Sequence, residues 1–135
     1  MTSSSCLRRL WLGNDYGGPS KNELTGPIPA ELGQLRALTR LFLDGNKLSG
    51  AIPAELGQLG ALAGLYLSEN ELSGAIPAEL GQLGALQFLY LYENQQLTGH
   101  KAFRAYMEEH HPDCQLLMDA AGGGRLGASV ATMMR

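Results

Sequence analysis

Between Leu24 and Leu97 the apolar positions follow a fixed order, written three times with a period of 24 residues. The copies read LTGPIPAELGQLRALTRLFLDGNK, LSGAIPAELGQLGALAGLYLSENE and LSGAIPAELGQLGALQFLYLYENQ. Leu24, Leu48 and Leu72 are equivalent, as are Ile28, Ile52 and Ile76, and Leu41, Leu65 and Leu89. A period of this length marks stacked repeats, in which each unit buries its apolar face only against its neighbours.

Within a unit the period changes twice. Leu41-Phe42-Leu43 alternates inward and outward residues, the period of a short strand. Asn46, Asn70 and Asn94 follow where the chain leaves that strand, and a buried Asn amide there has four hydrogen bonds to give to its own turn and to the next coil. Pro29, Pro53 and Pro77 remove a backbone donor and close off the IP segment. The PAELGQL stretch then has room for one or two helical turns on the opposite side. Leu24, Ile28, Leu32, Leu35, Leu38, Leu41 and Leu43 are the predicted inward set of one unit.

The pattern loosens at both ends. Leu7, Leu10 and Leu12 repeat the spacing of Leu38, Leu41 and Leu43 and predict an imperfect first coil after a frayed stretch at 1–6. From Leu12 to Leu24 is 12 positions, against 5 from Leu43 to Leu48, so an insertion rich in Gly, Pro and Asn occupies 13–21. Residues 7–99 form the predicted array of about four coils, and 100–118 a helical cap. In that cap Phe103, Tyr106 and Met107 lie at i, i+3, i+4 on one helix face, with Leu116 and Leu117 beside it. The Gly- and Ala-rich residues 119–135 read as a loose tail.

Written as LxxLxLxxNxLxGxIPxxLGxL, the unit resembles the plant-type leucine-rich repeat. Such repeats occur in receptor-like kinases, receptor-like proteins and protease- or pectinase-inhibitor-like proteins, and similar arrays are attached to ROCO-type GTPases. The resemblance implies an α/β repeat: a right-handed solenoid with a parallel concave sheet, short helical or irregular convex segments and a second lateral strand at the IP segment. The chain departs from the family in lacking a cysteine-flanked N-terminal cap and any kinase or GTPase segment.

Strand alternation puts the residues flanking the inward leucines on the concave face. Trp11, Phe42, Tyr66 and Tyr90 share one position in successive coils, with Phe88 and Tyr92 beside them. Variation between units gathers on this face, at Arg40, Asp44, Gly64, Ser68, Glu69, Phe88, Tyr92 and Glu93, whereas PAELGQL repeats unchanged. Variable positions gathered around aromatic anchors are what a recognition surface needs. The expected function is therefore non-enzymatic binding of a protein or peptide. The expected contact set is Trp11, Arg40, Phe42, Asp44, Tyr66, Ser68, Glu69, Phe88, Tyr90, Tyr92 and Glu93. The alternative reading of the same face is strand-to-strand stacking alone.

Other chemistry is thinner. His100, His110, His111, Asp113 and Cys114 lack the paired spacing of a zinc site, and a Cys114–His dyad has no third orienting group. Gly122, Gly124 and Gly127 spell G-x-G-x-x-G without the strand–turn–helix that gives the motif meaning. Glu31, Glu55 and Glu79 are a solvated convex row. No cofactor is predicted, and a net charge of -3 offers nothing to nucleic acid.

Cys6 and Cys114 flank an array whose strands stack ~4.8 Å apart, which separates them by roughly 15–20 Å where a disulfide needs about 7 Å. Two free thiols, no apolar leader and no N-x-Ser/Thr acceptor point to the cytoplasm, with an extracellular place if the chain is part of a receptor. No apolar run of membrane-spanning length is present. A homodimer through the open N-terminal edge is a further expectation. Two other functional readings follow from the resemblance: a detached regulatory part of a receptor-like kinase or ROCO-like GTPase, and inhibition of an extracellular hydrolase, which requires secretion.

Overall fold

The computed structural model of the chain describes residues 7–13 and 23–118. The expectations for 1–6, for 14–21 of the insertion, for Cys6 and for the tail with its three glycines lie outside these residues.

Two parallel sheets run the length of the array. The first takes one three-residue strand from each coil: β1 Arg9–Trp11, β3 Arg40–Phe42, β5 Gly64–Tyr66, β7 Phe88–Tyr90 and β9 Gln115–Leu117, in that order. The second contains β2 Thr25–Pro27, β4 Lys47–Ala51, β6 Glu71–Ala75 and β8 Gln96–Thr98. In the first sheet Leu10, Leu41, Leu65, Leu89 and Leu116 are in register, one inward leucine above the next. The alternate residues Trp11, Phe42, Tyr66, Tyr90 and Leu117 are in register on the other side.

On the opposite side, Ala30–Gln34, Ala54–Gln58 and Ala78–Gln82 each form a 3-10 turn rather than an α-helical one. The preceding prolines hold extended backbone, and the Pro29 carbonyl already accepts from the Leu32 N–H, three residues on. Leu35 N–H then bonds Leu32 O and Leu38 N–H bonds Leu35 O. This three-residue step suits a segment too short to complete an α-helix.

The seven predicted inward positions are all buried in the two inner units, from Leu48 to Leu67 and from Leu72 to Leu91. In the outermost unit Leu24 is 37% exposed, and Leu32 and Leu35 are only partly covered. Coils close-pack through one glycine each. A Cβ on Gly33 would stand 2.5 Å from Glu55 O, and one on Gly57 2.6 Å from Glu79 O.

The end of the array departs from the expected cap. Helix α1 spans His100–His110 and buries Phe103 and Met107. Tyr106, expected on that apolar face, is 44% exposed. Its ring lies over Gly81, where a Cβ would meet it at 2.6 Å, so it fills the place that the next coil's Glu backbone takes at Gly33 and Gly57. Leu116 and Leu117 belong to β9, a fifth strand of the first sheet that the expected helical cap did not include. Leu116 and Met118 repeat the i, i+2 spacing of Leu89 and Leu91, which is the signal for that strand, and Met118 is fully buried.

Candidate functional site

The outward column of the first sheet is a continuous aromatic ladder. Trp11 stacks on Phe42 with ring centroids 4.3 Å apart, and Phe42 on Tyr66 at 4.5 Å with an interplanar angle of 1°. At Tyr90 the ladder changes to edge-to-face, 5.0 Å from Tyr66, and Phe88 and Tyr92 flank that ring at 6.5 and 6.3 Å. Parallel three-residue strands hold the rings one strand spacing apart. Trp11 is 57% exposed and the other rings of the ladder are half-buried.

Two further columns flank the rings. On one side Arg9, Arg40, Gly64 and Phe88 are in register. Arg40 Nη1 donates to Tyr66 Oη at 2.9 Å, and its guanidinium lies 5.2 Å from the centre of the Phe88 ring. Arg9 is absent from the expected contact set, although aligning Leu10 with Leu41 marks it as the counterpart of Arg40. On the other side stand Asp44, Ser68 and Tyr92, with Glu69 and Glu93 next to them. Ser68 corrects the expectation: it is 1% exposed and offers no side chain to a partner. Its Oγ has no hydrogen-bond partner.

Asp44 is half-buried, and its carboxyl is pushed above the ordinary 3.8. Desolvation is the largest cause and the Glu69 charge adds to it, while Asp44's own backbone N–H works against both. The folded state thus favours the protonated acid. That contribution is complete below 3.8 and is lost as pH rises through the raised value. Asp44→Asn should accordingly melt above wild type at pH 7, with the gain shrinking toward pH 3 in paired thermal unfolding curves. An equal gain at both pH values would dismiss the charge as its source.

The asparagines expected to form a ladder do so, with one correction of direction. Asn70 Oδ1 accepts from Leu48 N–H at 3.0 Å, and Nδ2 donates to Leu43 O, Leu67 O and Ser68 O. The inter-coil bonds reach back to the preceding coil, not on to the next. Asn46 and Asn94 repeat the set. These side chains hold the scaffold of the site and are buried away from its surface.

The histidines take structural places. His110 stacks on Tyr106 at 4.0 Å, and His111 Nε2 donates to Gly81 O at 2.7 Å. Cys114 is a free cysteine whose thiol burial pushes up to about 11, the wrong direction for a nucleophile. Glu31, Glu55 and Glu79 are exposed, as expected of a solvated row. Among the described residues no three His, Cys, Asp or Glu side chains gather as metal ligands, and no helix is long and apolar enough to cross a membrane.

Residues 37–59 and 61–83 match the Leucine Rich Repeat family. The chain belongs to that family. This leucine-rich-repeat chain is similar in structure to the BIR2 ectodomain of Arabidopsis thaliana, at 39% identity over 58% of this chain and 41% of that one, with a TM-score of 0.56. It is also similar to the Arabidopsis receptor kinase HAESA in complex with the peptide hormone IDA and the co-receptor SERK1, at 29% identity over 82% of this chain and 19% of that one, TM-score 0.62. A plant ice-binding protein matches at 38% identity over 70% of this chain and 28% of that one, TM-score 0.60. The chain therefore spans less than half the length of each. A comparison with curated protein sequences gave no match.

These neighbours overturn the cytoplasmic expectation. They include receptor ectodomains, the extracellular parts of membrane receptors, which points to an extracellular place for this repeat array. The absence of a leader or a glycosylation acceptor from a repeat array does not fix its compartment.

Proposed function

We propose that this chain is a non-enzymatic binding module that takes a peptide or protein segment on its aromatic ladder. The observation that carries the reading is the ladder itself: four rings in van der Waals sequence across four strands, flanked by positions that differ from unit to unit. Aromatic side chains give large contact area for little conformational entropy, and they dominate measured interface energies. The similar structures include the peptide hormone receptor RGFR1 with RGF2 and a BIR3–SERK2 complex, so related arrays bind both peptides and proteins. The detached-receptor reading is the same activity placed in a longer chain.

The test uses peptides recovered from a phage-displayed random library on the immobilised chain. Tyr66→Ala/Tyr90→Ala should cost those peptides about thirtyfold or more in affinity, about 2 kcal/mol, with the melting temperature within a few degrees of wild type. A double variant that unfolds would show instead that the rings serve strand stacking.

One second reading has a specific observation behind it, the similarity to an ice-binding protein and the convex PAELGQL row that repeats unchanged in three coils. Ice recrystallisation in the presence of wild type and of Glu55→Lys separates the two. Inhibition lost in the convex variant would favour the ice reading, and no inhibition by wild type removes it.

A further inference from the structure

The ladder is flanked by opposite charges. On the first flank Arg40 is fixed rather than trailing into solvent. Its side chain crosses the bare backbone of Gly64, where a Cβ would come within 2.7 Å of Tyr66 and 3.0 Å of Arg40 Cδ. Held by Tyr66 Oη and the Phe88 face, the guanidinium keeps further N–H donors, and among the described residues no carboxylate pairs with it. A planar fork already immobilised is suited to a carboxylate.

On the second flank the carboxylates are placed against backbone preference. Glu69 and Glu93 stand at φ 59° and 60°, in the left-handed region, where the first coil uses Gly45 at 72°. A left-handed backbone is disfavoured for a non-glycine residue, and such strain gathers at functional positions. The Glu69 charge also repels the desolvated Asp44, and the nearby Lys47 is engaged with Glu23 at 3.5 Å. Between Asp44 and Tyr92 the buried Ser68 hydroxyl has no partner. Among the described residues no cation pairs with Asp44 or Glu69.

The geometry points to an extended peptide lying along the ladder, with a carboxylate on Arg40 and a basic side chain on Asp44 and Glu69. The inference rests on the binding reading above and adds its ligand class. Positions 40 and 44 are roughly 13 Å apart at ~3.3 Å per residue. An extended chain sends alternate side chains to opposite sides, so one lying flat on the rings reaches both flanks at once.

The test takes the library peptides and measures their affinity for wild type, Arg40→Gln, Asp44→Asn/Glu69→Gln and Glu69→Gly. The recovered peptides should carry both an acidic and a basic residue. Amidating the acidic residue should cost about tenfold on wild type and nothing on Arg40→Gln. Neutralising the basic residue should cost about tenfold on wild type and nothing on Asp44→Asn/Glu69→Gln. Glu69→Gly should melt higher than wild type yet bind the same peptides more weakly, which separates strain kept for binding from strain without use. Peptides that need Tyr66 and Tyr90 but no charge would overturn this inference and leave the ladder reading intact. Peptides indifferent to Tyr66 and Tyr90 would overturn both. Self-association of the chain through this face, seen by light scattering and abolished by Arg40→Gln, would assign the flanks to a second copy and overturn the peptide.

Discussion

Asn70→Ala should destabilise the array by about 3–5 kcal/mol and lower its melting temperature by about 10–20 °C. The side chain is 8% exposed and makes four bonds, one accepted from Leu48 N–H and three donated to the carbonyls of Leu43, Leu67 and Ser68. Leu43 O also accepts from Asn46, and Leu67 O from Asn94, so shared carbonyls link the three asparagines across the coils. Alanine strips the Leu48 amide of its side-chain acceptor, at about 1–3 kcal/mol for a buried donor, and removes three bonds of about 0.5–1.5 kcal/mol each. The total stays below the upper end of that sum because two of the carbonyls keep a second donor. Folding free energies of about 5–15 kcal/mol make such a loss decisive. Asn46→Ala should cost about half as much, since the coil before it packs less completely and Leu12 and Leu24 are each 37% exposed. Circular dichroism melts of the two variants check both statements, and a change of only a few degrees at Asn70 would remove the ladder as a determinant of the fold.

The same residues show how much of this structure the sequence made legible. In a one-dimensional array every unit repeats the same packing problem, so three nearly identical copies state the solution three times. That redundancy is why Leu48 to Leu67 are buried at all seven expected positions, and why the aromatic column follows once Leu41, Leu65 and Leu89 are aligned. Where the repeat stops, so does the redundancy. Tyr106 obeys helical spacing, yet Gly81 presents a bare backbone for its ring, a tertiary fact that no local period records. Strand β9 carries only Leu116, with Met118 just beyond it, as its pattern, too short to outweigh a helical reading next to it. Ser68 shares its position with Asp44 and Tyr92, yet it is 1% exposed, a burial that strand alternation does not record. The charge polarity across the ladder is half legible. Arg40, Asp44 and Glu69 are visible as variable positions, but the left-handed backbone at Glu69 and the notch at Gly64 are visible only in three dimensions. Compartment is not legible in this way, because a leader or sequon missing from a repeat array carries no information about where the array works.

Gly57→Ala and Gly60→Ala, three residues apart on one convex turn, should act in opposite directions. A Cβ on Gly57 would sit 2.6 Å from Glu79 O and 2.8 Å from Glu79 Cβ, against the next coil. The closest obstacle is backbone, held by the bonds of the Ala78–Gln82 turn, so it cannot swing aside as a flexible side chain would. Relief requires the coils to part on that side, which uncovers Leu56 and Leu80, both fully buried. Overpacking of this kind costs about 1–3 kcal/mol. Gly60 meets nothing within 4 Å and has ordinary backbone, and the first coil already carries Arg36 at that place. Alanine there narrows the unfolded ensemble and should stabilise by about 0.4–1 kcal/mol. The pair also connects scaffold to site. Wedging the convex side while the strands stay hydrogen-bonded bends the array more sharply, and the Phe42–Tyr66 stack at 4.5 Å has little room to close further. Gly57→Ala should therefore weaken library peptides on the ladder as well as lower the melt, whereas Gly60→Ala should leave affinity unchanged. Equal melting shifts for the two variants would mean that the convex glycines do not set how closely the coils pack.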